Sequence, residues 1–78
     1  MEYRKLGKTG LQVSPICLGT AFRGEVDEQV AIRVIQNSLD LGINFIDSGM
    51  YGGGQSEIII GKALKERRER AVLCTKIY

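Results

Sequence analysis

The sequence predicts an α/β fold, a β-hairpin followed by β-α-β-α-β. Three observations carry that expectation. Short apolar runs recur at residues 16–19, 43–46 and 71–75. Segments with helical apolar spacing lie between them, at 28–41 and after Ser56. Turn residues cluster near the start, in Gly7-Lys8-Thr9-Gly10. Strands alternating with helices imply a parallel sheet with right-handed crossovers. Unbroken apolar strands imply burial on both faces of that sheet.

Each element has a local reason. Residues 3–13 alternate on either side of the glycine turn, which predicts the hairpin. The run 16–19 follows the only proline, Pro15, and ends at Gly19 as a buried strand would. Residues 20–26 read as a loop. Asp27 is placed to cap a helix, and Glu28 favours its positive end. Val30, Ala31, Val34, Ile35, Ser38 and Leu41 then recur at helical spacing, so a helix is expected over 28–41. Gly42 stands where a helix stops in the left-handed conformation. A second strand over 43–46 ends at Asp47, and a glycine-rich loop covers 48–55. Ser56 is the expected cap of the next helix, whose apolar stripe is Ile59, Ile60, Ala63 and Leu64. The third strand, 71–75, ends before Lys76.

Composition bounds the function. A chain of 78 residues makes one small domain, and its hydrophobic content of 44% argues against disorder. The net charge of +2 is too small to point to nucleic acid or an anionic membrane. Lys62, Lys65, Arg67, Arg68 and Arg70 cluster, but Glu66 and Glu69 interleave with them, as at a solvated helix end. The first residues lack the apolar stretch of a signal peptide or a membrane span, so a cytoplasmic location is expected. Cys17 and Cys74 each sit in an apolar run and read as buried structural thiols, with no disulfide. Without histidine or a CxxC motif, no metal site is expected.

In parallel α/β folds, working residues gather beyond the carboxyl ends of the strands. Thr20, Asp47 and Lys76 all fall there, and Tyr51 follows Asp47 by four residues. Neighbouring strands lie about 4.8 Å apart, within reach of an Asp47–Lys76 ion pair. An ammonium beside a phenol stabilises the phenolate, and a carboxylate holds that ammonium in place. The result is a general acid suited to protonating an alkoxide. Each residue also has an ordinary reading: Asp47 as a turn residue, Tyr51 as loop packing, Lys76 as a solvated strand end. Gly52-Gly53-Gly54 before a helix can cradle a phosphate. It matches neither the dinucleotide nor the P-loop motif, and a tight turn beside a site is the simpler role.

Four stretches, YRKLGKTGLQVSPICLGT, LDLGINFIDS, YGGGQSEIIIGKAL and VLCTK, together resemble the N-terminal portion of the aldo-keto reductase superfamily. The resemblance covers nearly the whole chain in the family's order. It implies the first part of a (β/α)8 TIM barrel, incomplete here, with the hairpin (1–14) closing its bottom and the βα units at 15–78. It implies a reductase of aldehydes and ketones that uses NADPH, or NADH, without a metal. The family's catalytic tetrad is Asp, Tyr, Lys and His. Asp47, Tyr51 and Lys76 match the first three. Gly19, Thr20 and Asp47 match positions near the nicotinamide ribose.

Two departures accompany the match. The family pattern has five steps from Asp to Tyr and this chain has four, which predicts a phenol displaced by up to about 3.5 Å. A complete barrel needs about 250 residues, and no histidine is present to finish the tetrad. The expectation is therefore a truncated chain, inactive alone. The alternative is a non-catalytic βα module that forms a homo-oligomer or pairs with a complementing C-terminal chain.

Overall fold

Ile46 is 0% exposed and sits at the centre of the core. The structure, a computed structural model, describes residues 1–22 and 27–76. The hairpin is β1 (Arg4–Lys5) paired antiparallel with β2 (Gln12–Val13). A parallel sheet follows: β3 (Cys17–Gly19), β4 (Phe45–Asp47) and β5 (Val72–Cys74), in that spatial order. Helix α1 (Glu28–Asp40) joins β3 to β4, and α2 (Gln55–Ala63) joins β4 to β5. This is the expected α/β order, the opening part of a (β/α)8 barrel without closure. The loop expected over 20–26 falls partly on residues 23–26, outside the described residues.

Register decides which residues form the core. Leu18, Ile46 and Leu73 lie side by side across the three strands. They face the helices and pack with Ala31, Ile35 and Leu39 of α1 and Ile59, Ile60 and Ala63 of α2. The next rows, Cys17-Phe45-Val72 and Gly19-Asp47-Cys74, point the other way. Among the described residues no helix packs on that second face, where Phe45 and Val72 are half-buried. Cys17 and Cys74 are therefore exposed free thiols, which corrects the expectation that both are buried. The continuous apolar runs promised cover on both faces, and the helices supply only one.

The helix ends show what the sequence specified well and where it misled. Asp27 accepts a bond from the Gln29 N–H at 2.8 Å, as a cap should. At the other end, Gly42 takes φ +97. Its N–H bonds the Leu39 carbonyl, and the Ile43 N–H bonds that of Ser38, which satisfies two otherwise orphan acceptors. A side chain at Gly42 would also meet the Tyr3 hydroxyl at 3.1 Å. Ser56, by contrast, is not the cap of α2. That helix starts earlier, from Gly54 at φ +98. Ser56 lies inside its first turn, only 2% exposed. Lys62 lies in the last turn of α2, and the rest of the basic cluster follows in a turn and a 3₁₀ segment, Arg68–Arg70. Lys62 and Arg70 reach back to Glu28 and Asp40 of α1. Such exposed pairs contribute little, about 0–1 kcal/mol each.

Asn44 fixes the hairpin to the sheet. Its Oδ1 accepts from the Ser14 N–H at 2.7 Å, and its Nδ2 donates to the Gln12 carbonyl at 2.9 Å. Ser14 in turn accepts from the Asn44 N–H at 3.2 Å. Because Asn44 precedes β4, the hairpin sits at the amino ends of the strands. Their carboxyl ends stay free. Among the described residues, no helix is long and apolar enough to cross a membrane.

Truncating Ile46 to alanine should lower the unfolding free energy by about 2–5 kcal/mol. Leu41, 75% exposed, should tolerate alanine within about 0.5 kcal/mol. Urea denaturation followed by circular dichroism checks both.

Candidate active site

The carboxyl ends of β3, β4 and β5 stand in one row. Gly19 ends β3 and pairs with Asp47, which ends β4 and pairs with Cys74 of β5. The Ser48 N–H bonds the Cys74 carbonyl at 2.6 Å, extending the pairing by one step. Lys76, two residues further, is thereby returned toward Asp47.

The Lys76 ammonium meets three oxygens: Asp47 Oδ1 at 2.5 Å, the Ser48 carbonyl at 2.7 Å and the Tyr51 hydroxyl at 2.9 Å. An ammonium has three protons to donate, so each has an acceptor. The Tyr51 hydroxyl donates to Asp47 Oδ2 at 3.3 Å. Lys76 also lies 5.2 Å from the centre of the Tyr51 ring, a distance at which a cation is attracted to the ring face. Asp47, Tyr51 and Lys76 thus form one closed triangle of contacts.

The short Asp47–Tyr51 connection does not open that triangle. The chain turns back through a 3₁₀ segment, Tyr51–Gly54. Gly52 and Gly53 take φ +63 and +67, a region costly to other residues. The Gly53 N–H closes onto the Met50 carbonyl at 3.2 Å. The three glycines thus serve a tight turn beside the site.

The remaining expected residues differ from one another. Gly19 is exposed, and a side chain there would meet nothing within 4 Å. Thr20 is fully buried, with its hydroxyl bonded to the Asp47 carbonyl and to Ser56 and its own carbonyl bonded to the Phe22 N–H. Ser56 and the Ser48 carbonyl were not foreseen as parts of the site. Ser56 carried a signal, a hydroxyl at the entry to an apolar helix, but that signal also fits a cap. A cleft of about 230 Å³ opens beside Tyr51, between Phe22, Gln55 and Ile59. A larger hollow of about 320 Å³ lies between α2 and β5, lined by Ile60, Leu64 and Leu73. It is on the helix side of the sheet, away from the Tyr51 hydroxyl. No cluster of metal-ligating side chains occurs among the described residues.

The charges support one another. The hydrogen bond from Lys76, above all, holds the Asp47 carboxyl below its ordinary 3.8; burial opposes this, while the Lys76 charge, Tyr51 and Cys74 assist. Lys76 is held well above its ordinary 10.5, first by Asp47 and then by Tyr51.

The aldo/keto reductase family model matches residues 15–78, and the chain belongs to that family. A relative described as "Uncharacterized oxidoreductase YrpG", from Bacillus subtilis (strain 168), is 47% identical over 100% of this chain and 27% of its own length. Among solved structures, the holo form of aldo-keto reductase AKR11C1 from Bacillus halodurans matches with a TM-score of 0.89 and 41% identity, over 99% of this chain and 26% of that one. An aldo/keto reductase from Klebsiella pneumoniae, in complex with NADP and acetate, matches at 0.81 with 32% identity, over 88% of this chain and 25% of that one. The chain therefore spans about a quarter of the length of these proteins.

A depressed carboxylate stabilises the fold above its unfolded pKa and loses that contribution as pH falls through the folded value. A raised ammonium stabilises below its unfolded pKa and loses its contribution as pH rises through the folded one. The pair should therefore contribute fully between roughly pH 5 and 9. Asp47→Asn should be less stable than wild type at pH 7, and the difference should shrink as pH falls below the ordinary carboxylate value of 3.8. Urea midpoints measured across that range test the sign.

Proposed function

We propose that these residues form the proton-donating part of an NADP(H)-dependent carbonyl reductase site, with Tyr51 as the acid, in the cytoplasm. The supporting observation is the convergence of Lys76 and Asp47 on one phenol, beside an exposed strand end. Lys76 donates to the phenol oxygen, which stabilises the phenolate left once its proton has gone. Asp47 holds the ammonium charged and in place. A small aldehyde or ketone accepts the Tyr51 proton at its oxygen as negative charge develops there.

The residues fit a nicotinamide at one point. A side chain at Gly19 would meet nothing within 4 Å, so the strand end beside the Asp47 carboxylate is open to a ligand. Gly19 and Asp47 would border it, while Thr20 supports Asp47 from within. When bound, the cofactor supplies the hydride. The Klebsiella relative, solved with NADP, makes NADPH the first cofactor to try.

These 78 residues contain no histidine, and among the described residues no helix covers one face of their sheet. Taken alone they should show no turnover. The decisive experiment joins them to the remaining three quarters of the Bacillus subtilis relative. That chimera should reduce an aromatic aldehyde with NADPH, and Tyr51→Phe should lower kcat by about 10²–10⁴-fold. A folded, NADPH-binding chimera whose rate ignores Tyr51 would sink the reading.

A second reading has its own observation. β3 and β5 each keep one unpaired edge among the described residues, and unpaired edges invite further strands. A non-catalytic module would cover them by self-assembly or with a complementing C-terminal chain. Light scattering on the purified 78-residue protein tests this. A discrete oligomer favours the module, and a folded monomer counts against it.

A further inference from the structure

Thr20 Oγ1 lies 2.7 Å from the Asp47 carbonyl oxygen and 2.7 Å from Ser56 Oγ. A threonine hydroxyl has one proton to give and two lone pairs to receive with. A carbonyl only accepts, so the Thr20 proton belongs to Asp47. The proton between the two hydroxyls must then come from Ser56. Donation runs one way, from Ser56 to Thr20 to Asp47, and bonds linked in this manner strengthen one another. Thr20 is 0% exposed and Ser56 2%, and both border the cleft beside Tyr51.

The linked hydroxyls join the end of β3, the end of β4 and the first turn of α2. Asp47 and Ser56 are also the two ends of the loop that carries Tyr51. Within that loop Gly52, Gly53 and Gly54 follow one another at φ +63, +67 and +98. Glycine permits such angles without enforcing them. The loop's path therefore depends on where its ends are held, alongside its own bonds at Ser48 and Gly53.

We propose that Ser56 and Thr20 are positioning residues, whose linked hydroxyls fix the ends of this loop and so place the Tyr51 phenol against Asp47 and Lys76. This rests on the reading of Tyr51 as the acid. It adds two residues that touch neither the transferred proton nor the carbonyl. Packing alone does not ask for hydroxyls here, since alanine at 56 and valine at 20 would leave the space nearly filled. A misplacement of about 1 Å at a reacting group can cost 10²-fold in rate, so control of the loop ends has consequences at the phenol.

The test reads geometry in the 78-residue protein by proton NMR. Cross-peaks between the Tyr51 ring and the Lys76 side chain report their contact. Ser56→Ala and Thr20→Val should weaken these peaks severalfold while amide dispersion persists. Ser56→Thr, which keeps the donor, should restore them. Full-strength peaks in both deletion variants overturn the proposal, as does failure of Ser56→Thr to restore them. Loss of all amide dispersion in both deletions assigns the pair to stability and also overturns it. Absence of the peaks in the wild type overturns the triad itself, a result distinct from peaks that survive the deletions.

Discussion

The Lys76 ammonium ties together groups that the chain brings from separate places. Its acceptors are a side chain at the end of β4, a carbonyl one residue on, and a hydroxyl on the following turn. Each acceptor alone would be an ordinary carboxylate, carbonyl or hydroxyl. Sharing one cation, they define a point in space. The rest of the architecture serves that point. Parallel pairing brings the ends of β4 and β5 level, the core row of Leu18, Ile46 and Leu73 fixes the register, and helix packing keeps the sheet from sliding. A slip of one residue would exchange the two faces and send Asp47 into the apolar layer.

The two ends of the sheet divide their tasks. Asn44, Ser14 and Tyr3 fasten the hairpin at the amino ends, through bonds that involve no ionisable group of the candidate site. The carboxyl ends hold the charges. The hairpin is thus anchored by residues separate from the candidate site, the arrangement expected where loops at one end of a parallel sheet carry function.

Much of this was legible in the sequence, and the exceptions have physical causes. Strand and helix order followed from short apolar runs and helical spacing. Asp27 and Gly42 act as their chemistry suggested. Asp47, Tyr51 and Lys76 could be named as candidates because they fall at strand ends, although spacing alone did not separate them from turn and surface residues. Ser56 was misread because a serine near a helix start has two uses, and only the tertiary position of Thr20 chooses between them. The cysteines were misread because an apolar strand says that both faces suit burial, not that both are covered. The short Asp47–Tyr51 link suggested a displaced phenol. In the structure the Tyr51 hydroxyl still reaches both Asp47 and Lys76 across that link, and a residue count cannot convey the path the backbone takes.

The spent protons of Lys76 have a consequence for chemical durability. A primary amine beside a carbonyl is a hazard, because neutral amines condense with aldehydes to give imines. On the proposed reading, this lysine spends its life next to such compounds. Only the deprotonated amine is a nucleophile, and Asp47 and Tyr51 together hold Lys76 well above its ordinary value. An ordinary lysine is already largely protonated at neutral pH, and these contacts lower the free amine further. On that reading, the contacts that place the phenol would also help keep the lysine from condensing with the molecules the site handles.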